Sequence, residues 1–208
     1  MNRIQTQKEE RINTITHGVP FLFFVLLIPF LFFSKLSDDF PKFWPILPFL
    51  FGIIFTYISS TTYHATRNPK RKEIFKILDH ISIFFLIGGT YTPVITNYVS
   101  HPTATIFLIS MWGLIALGAI AKIWFTGRFD NLSTGFYAFL GWMLIFVIVP
   151  IFKNTPINIL LLLVAGGLSY TLGIYFYKKD HQPYFHSIWH IFVTAGTINH
   201  FIAIFLMY

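Results

Sequence analysis

The chain has no cysteine and few charged residues for its length, and each shortage excludes a class of structure. None of the 208 residues is Cys, which excludes disulfides and thiolate metal sites, so any metal ion must be bound by His, Asp, Glu or water. Only 11% of the residues are charged and 55% are hydrophobic, whereas a soluble domain carries about 25% charged residues. The composition therefore indicates an integral membrane protein.

Long stretches without any Asp, Glu, Lys or Arg predict the spans. They cover residues 12–34, 43–66, 80–121, 131–152, 154–177 and 181–208. A helix of roughly 20 apolar residues crosses a bilayer, and 80–121 is about twice that length, so we divide it at Ser100-His101-Pro102. Strands of a membrane barrel would be shorter and would alternate in polarity. We predict an all-α fold, with residues 1–208 forming one domain of seven transmembrane helices at about 14–34, 43–65, 79–98, 103–123, 132–152, 156–177 and 185–207.

The distribution of Lys and Arg predicts the orientation. With the N-terminus inside, 12 of the 15 Lys and Arg residues lie on the inner side, and only Lys35, Lys42 and Lys153 lie outside. The positive-inside rule then predicts a cytoplasmic N-terminus and an external C-terminus. The net charge of +7 mostly reflects this bias, which suits an anionic inner leaflet and requires no nucleic acid. We expect a multi-pass protein of the cell membrane, whose implied partner is membrane lipid; no protein partner is implied.

Histidines converge on the inner side of this predicted topology. His186 and His190 begin the last helix and share one face at a spacing that can hold zinc; the alternative is a histidine snorkelling at the interface. His64 ends the second helix and shares a face with Ser60. It would supply a third nitrogen, and three imidazoles with a water form an open tetrahedral zinc site. Alternatively, Ser60 bonds to a backbone carbonyl and His64 caps the helix.

Further polar residues are predicted at the same inner side. Asp79 and His80 begin the third helix, and a carboxylate at the edge of a span is functional by default when it faces the bundle interior. Asp79 could contact a metal-bound water or orient a ligating imidazole; the alternative is a carboxylate favoured by the helix dipole. Glu10, Asn13 and His17 share one helical face before and at the start of the first span, and their role stays open. His101 and His200 fall toward the outer side.

These motifs together resemble those of the hemolysin III family, the bacterial branch of the progestin-and-adiponectin-receptor (PAQR) membrane proteins. Motifs of the form E-x-x-N-x-x-x-H, S-x-x-x-H with a later Asp, and H-x-x-x-H occur in family order across nearly the whole chain. The resemblance implies seven transmembrane helices, an inside N-terminus, and zinc bound by His64, His186 and His190, with Asp79 contacting the metal through water. The wider superfamily includes alkaline ceramidases, which implies hydrolase chemistry. The sequence shows no ligand-binding domain outside the membrane spans, so it does not support a role as a hormone receptor.

Three functions remain open at the level of the sequence. In the first, zinc and its water hydrolyse a lipid amide, with Asp79 accepting the proton and Ser60 holding the water or the developing oxyanion. The substrate would be an N-acyl lipid that enters sideways between helices, near the cytoplasmic face. In the second, the zinc is structural and the protein senses or adjusts membrane state. In the third, the protein forms a pore and lyses cells, although the helices in the middle of the chain carry few polar residues that could line a water path.

Overall fold

The computed structural model describes residues 5–31 and 43–208, and these residues form an all-α bundle. The helices are α1 (Gln7–Leu31), α2 (Leu47–Ala65), α3 (Pro69–Tyr98), α4 (Thr103–Phe125), α5 (Asp130–Gly141), α6 (Ile148–Asn154), α7 (Ile157–Lys178) and α8 (Phe185–Phe205). A 3₁₀ turn, Trp44–Ile46, leads into α2, and a second one, Met143–Val147, connects α5 to α6.

Seven segments are long and apolar enough to cross a membrane, which confirms the predicted number of spans. Five of them agree with the predicted bounds within about two residues: 44–65, 103–125, 130–154, 157–178 and 185–205. The predicted end of the first span, at residue 34, lies outside the described residues. Large apolar side chains face outward along the bundle, including Leu26, Leu132 and Val149, each more than 70% exposed. A surface of this kind is suited to lipid rather than water.

The predicted starts of the first and third helices were wrong, because both helices begin earlier. α1 begins at Gln7, where Thr6 and Glu9 form a reciprocal cap: Thr6 N–H donates to the Glu9 carboxylate and Glu9 N–H donates to Thr6 Oγ1. α3 begins at Pro69, where the Asn68 side chain accepts from Arg71 N–H. His17, Asp79 and His80 therefore lie about three turns inside their helices and do not begin them.

The fifth span is interrupted by a 3₁₀ segment, and a tyrosine from α3 satisfies the backbone there. The Tyr91 hydroxyl donates to Gly141 O at 2.7 Å and accepts from Leu144 N–H at 2.9 Å. In a bilayer, backbone groups released by a helix break must find partners within the protein. The hydrogen bonds of Tyr91 therefore help to explain why α5 can end before Trp142 although no proline interrupts it there.

Close approach of helices fixes the centre of the bundle. A Cβ added at Gly52 of α2 would lie 2.7 Å from Phe85 O of α3, and one added at Gly89 of α3 would collide with the backbone of Pro48 and Phe49. Small residues at such crossings let membrane helices pack backbone to backbone. α1 packs against both α2 and α8, and α7 packs against α8. The ends of α2 and α8 are thereby gathered around α1, and α3 packs against α2.

Candidate metal centre

His64, His186 and His190 form a buried cluster between α2 and α8. Each offers a ring nitrogen, and these three atoms lie within 4.8 Å of one another. The ring centroids are 5.1 Å apart for His64 with either partner and 4.7 Å apart for His186 with His190. His64 lies at the last turn of α2 and His186 at the first turn of α8, as predicted. Because helical spacing places His186 and His190 on one face, two helix ends suffice to assemble three donors.

The hydrogen bonds of the rings leave nitrogen atoms for a ligand. His64 Nδ1 lies 2.7 Å from Glu10 Oε2, and His64 Nε2 is buried without a hydrogen-bond partner in the part of the chain that the structure describes. A carboxylate that accepts from Nδ1–H leaves the lone pair on Nε2. His186 Nδ1 is also buried without a partner, whereas His190 Nδ1 lies 2.9 Å from Thr16 Oγ1. Buried polar atoms without partners are rare, so the cluster could hold a metal ion.

Helix α1 supports the cluster through three residues whose role the sequence left open. The Glu10 carboxylate bonds to His64 and also pairs with Lys72 Nζ at 3.0 Å. Asn13 accepts a hydrogen bond from Ser187, the residue next to His186. His17 stacks on His190, with ring centroids 3.6 Å apart.

Thr16, the partner of His190 Nδ1, adds a fourth contact from α1 and was missed from the sequence. About two helical turns of α1, from Glu10 to His17, thus contact both helices that carry the donors. The only sequence signal for Thr16 was its place beside His17 in the segment that carries the motif.

Asp79 and Ser60 lie beside the cluster but outside the group of three donors. The Asp79 carboxyl approaches the Ser60 hydroxyl, and Ser60 Oγ is buried without a hydrogen bond to any backbone carbonyl in residues 5–31 and 43–208. The alternative in which Ser60 bonds to a backbone carbonyl is therefore wrong; Ser59 makes such a bond, to Phe55 O. The dipole alternative for Asp79 is also wrong, because the effect is confined to the first turn of a helix. The Asp79 carboxyl and the Ser60 hydroxyl therefore lie together, one turn of α2 from His64.

Three further histidines, His80, His101 and His200, are not among the donors of the cluster. His101 is exposed between α3 and α4 and bonds to Thr105. His200 is buried in α8, where its Nε2 lies 3.0 Å from Leu163 O. His80 is on α3 next to Asp79, and its Nδ1 is buried without a partner. The cluster of three is therefore specific to the residues that the sequence singled out.

An apolar cavity begins one helical turn away from these side chains. Its volume is about 130 Å³, and its wall includes Thr56 of α2, Ile83 of α3 and Trp189 of α8. Each of these residues lies one turn from Ser60, Asp79 or His186 on the same helix. α5 and α7 complete the wall with mostly apolar and aromatic side chains. An apolar chain in this cavity would end close to the histidine cluster.

Comparison with known proteins identifies relatives along almost the whole sequence. The model of the family described as Haemolysin-III related matches residues 5–201. The chain is 36% identical over 203 residues to the Hemolysin-3 homolog of Bacillus subtilis (strain 168), with 96% of this chain and 94% of that protein covered. It is 35% identical over 205 residues to Hemolysin-3 of Bacillus cereus, covering 96% and 92%. A human protein, monocyte to macrophage differentiation factor, is 28% identical over 202 residues, covering 94% and 83%.

Proposed function

The chain belongs to the haemolysin-III-related family of membrane proteins, and on this premise we propose that it is a zinc-dependent hydrolase of a membrane lipid amide. The observation that carries the proposal is the buried cluster of His64, His186 and His190, with His64 Nε2 unpartnered beside a carboxyl and a hydroxyl. The resemblance of the motifs to the superfamily that includes alkaline ceramidases supports the reaction class.

The donor set suits zinc better than other biological metals. Three neutral imidazoles with an oxygen are typical zinc ligands, and hard cations such as Mg²⁺ and Ca²⁺ prefer all-oxygen sites. Zinc–nitrogen bonds of about 2.0–2.1 Å in tetrahedral geometry place the nitrogens about 3.3 Å apart. The three donor atoms lie within 4.8 Å of one another, which is close enough for one metal ion to reach all three.

The chain's own residues take defined parts in the reaction. A zinc ion bound here supplies Lewis acidity and a water that deprotonates near neutral pH. Asp79 accepts the proton from the attacking water and later returns it to the leaving amine. Ser60 donates a hydrogen bond to the carbonyl oxygen as negative charge develops there and keeps its proton. Glu10 and Thr16 hold His64 and His190 in the orientation that the site requires.

The cavity supports a substrate with a long acyl chain. Its wall is mostly apolar, and it lies one helical turn from Ser60 and Asp79. Burying a methylene group in such an environment stabilises the complex by about 0.8 kcal/mol. A lipid whose chain occupies this cavity has its amide carbonyl near the three imidazoles. Chain length and headgroup then decide which lipids react.

A structural role for zinc is the second candidate, and one observation favours it. The three donors come from α2 and α8, and both helices pack against α1 between them. A metal ion shared by α2 and α8 would cross-link the ends of two helices that α1 already bridges. In that case loss of the metal lowers stability, and the substitution of Asp79 has little effect on any activity.

The discriminating experiment measures zinc content, thermal stability and lipid-amide hydrolysis on the same purified protein. Ceramides and other N-acyl lipids of varied chain length are incubated with native, chelated and zinc-reloaded protein. We expect hydrolysis that is lost on chelation and restored by zinc. His101→Ala is the matched control, because this histidine is exposed and remote from the cluster.

Two outcomes decide between the candidates. Restoration of hydrolysis by zinc, with a melting temperature that changes little, supports catalysis. No hydrolysis across the panel, together with a sharp fall in melting temperature on chelation, would lead us to abandon the hydrolase for the structural site.

A further inference from the structure

A second polar cluster lies next to the cavity and is not used by the proposed reaction. It consists of Lys76 and His80 on α3 and Lys122 on α4; we call these three residues the lysine cluster. Ser133 and Tyr137 of α5 pack against it. His80 follows Asp79 directly, so the lysine cluster and the histidine cluster are at the same end of the bundle.

Lys122 is buried although it lies within a candidate membrane span. Only 5% of it is exposed. Its Nζ donates to Ser133 Oγ at 2.8 Å and lies 5.6 Å from the centroid of the Tyr137 ring. A buried amine in a span costs free energy and commonly marks a ligand site or pathway. The direct contacts of Lys122 are a serine hydroxyl and an aromatic face, and the carboxylate that acts on it belongs to Asp130.

Lys76 and His80 are the other two members of the lysine cluster. Lys76 Nζ lies 3.2 Å from the position that a Cβ would take at Gly127, in the turn between α4 and α5. The charged groups that act on His80 are Lys122, Lys76 and Asp130. Two ammonium groups and one carboxylate therefore act on this imidazole. His80 Nδ1 is buried and has no hydrogen-bond partner, so a donor or acceptor is still available among these charges.

Tyr137 connects the lysine cluster to the cavity. Its ring faces Lys122, its hydroxyl donates to His80 O at 2.8 Å, and the residue also forms part of the cavity wall. Thr134, one residue after Ser133, is in the wall as well. The lysine cluster and the apolar cavity are therefore contiguous. A lipid with an anionic headgroup and an apolar chain requires such an arrangement.

We propose that Lys76, His80 and Lys122 bind the phosphate-bearing headgroup of an anionic membrane lipid, with an acyl chain in the cavity beyond Tyr137. A phosphate offers several acceptor oxygens, which two ammonium groups and an imidazole N–H can satisfy together through charge-assisted hydrogen bonds. Inner-leaflet anionic lipids supply such headgroups at the membrane surface. The inference goes beyond the proposed hydrolysis, because the binding requires neither zinc nor turnover.

The test is thermal unfolding of the purified protein in a neutral detergent. Phosphatidylglycerol is titrated in one series, phosphatidylcholine with the same acyl chains in a second, and inorganic phosphate in a third. For the wild type we expect a saturable rise in the melting temperature with phosphatidylglycerol only. The series is repeated after chelation, so that a failure of lipid binding is distinguishable from a failure of the zinc hydrolase.

Matched variants assign the effect to the cluster. Lys122→Met and Lys76→Gln each raise the phosphatidylglycerol concentration for half-maximal stabilisation by about tenfold or more, since each removes a charged hydrogen bond. Lys122→Arg keeps the charge and restores most of the response. Lys70→Gln, which removes an exposed lysine near the start of α3, leaves the response unchanged. Lys76 is only partly buried, so Lys76→Gln decides the matter if Lys122→Met does not fold.

Three results would overturn the proposal. Phosphatidylcholine could stabilise the protein as well as phosphatidylglycerol does, which would remove the role of headgroup charge. Inorganic phosphate alone could reproduce the full shift, which would remove the lipid. Lys70→Gln could weaken the response as much as Lys76→Gln does, which would reduce the effect to the general positive charge of the surface.

Discussion

Glu10 offers the sharpest prediction about how the metal centre is built. Its carboxylate lies 2.7 Å from His64 Nδ1 and 3.0 Å from Lys72 Nζ. Glu10→Ala leaves His64 Nδ1–H buried without an acceptor, which costs about 1–3 kcal/mol. Removal of the group that orients a ligating histidine typically lowers metal affinity by about 10–100-fold. We expect Glu10→Ala to lose zinc affinity by this factor. In Glu10→Gln the amide oxygen can still accept a hydrogen bond from His64 Nδ1–H, but the negative charge is lost. We therefore expect the zinc affinity of this variant to fall by about fivefold, the equivalent of about 1 kcal/mol.

The assay is a competitive zinc titration against a chelator of known affinity, on purified variants whose melting temperatures are also measured. Glu73→Gln is the control, because Glu73 is an exposed carboxylate at the same end of the bundle. The expected order of zinc affinity is wild type and Glu73→Gln, then Glu10→Gln, then Glu10→Ala. Affinity of Glu10→Ala within twofold of the wild type would refute the orienting role of Glu10.

Three further predictions concern the proton acceptor, the helix packing and the topology. Asp79→Asn keeps its zinc, but its rate of lipid-amide hydrolysis falls by about 10²–10⁴-fold, and the rate of Ser60→Ala falls less. Equal rates for Asp79→Asn and the wild type would show that Asp79 is not the base. Gly89→Ala destabilises the fold by about 1–3 kcal/mol, because its Cβ meets the backbone of α2, whereas Gly113→Ala has open space and serves as the control in the same unfolding measurement. Reporter fusions at Asn68 and Gly127 report the cytoplasm and fusions at Asp38 and Tyr208 the exterior; a cytoplasmic C-terminus would contradict the predicted orientation.

The number of spans could be predicted because a bilayer allows few solutions. Each charge-free stretch must satisfy its own backbone, which makes a helix of about 20 residues the default. The starts of α1 and α3 were missed because the prediction followed stretches without charged residues, and the first turns of both helices carry charges. Local signals were present in both places: Thr6 with Glu9 has the spacing of a capping box, and Asn68-Pro69 places a cap before a first-turn proline.

The break in the fifth span carries no comparable signal. Trp142–Val147 contains no proline, and the partner that satisfies the freed backbone, Tyr91, is on another helix. Only the tertiary structure brings the two together. Propensity or periodicity in the segment itself could not reveal that its backbone has an external partner.

The donors of the site were accessible from the sequence, but their supports were not. His186 and His190 share a face by spacing alone, and the predicted topology brought His64 to the same end. The contacts of Glu10 with His64, of Asn13 with Ser187 and of His17 with His190 depend on how α1 lies between α2 and α8. Side-chain contacts between helices distant in sequence follow from packing angles, which the sequence pattern does not specify.

Metal analysis of purified wild type and His186→Ala tests the central claim most directly. His186 is one of the three donors, and its buried Nδ1 has no hydrogen-bond partner among the residues that the structure describes. The account predicts about one zinc per chain in the wild type, the same content in His101→Ala, and loss of most of the metal in His186→Ala, since two imidazoles bind zinc far less well than three. A full complement of zinc in His186→Ala, or no tightly bound zinc in the wild type, would contradict the three-histidine metal centre.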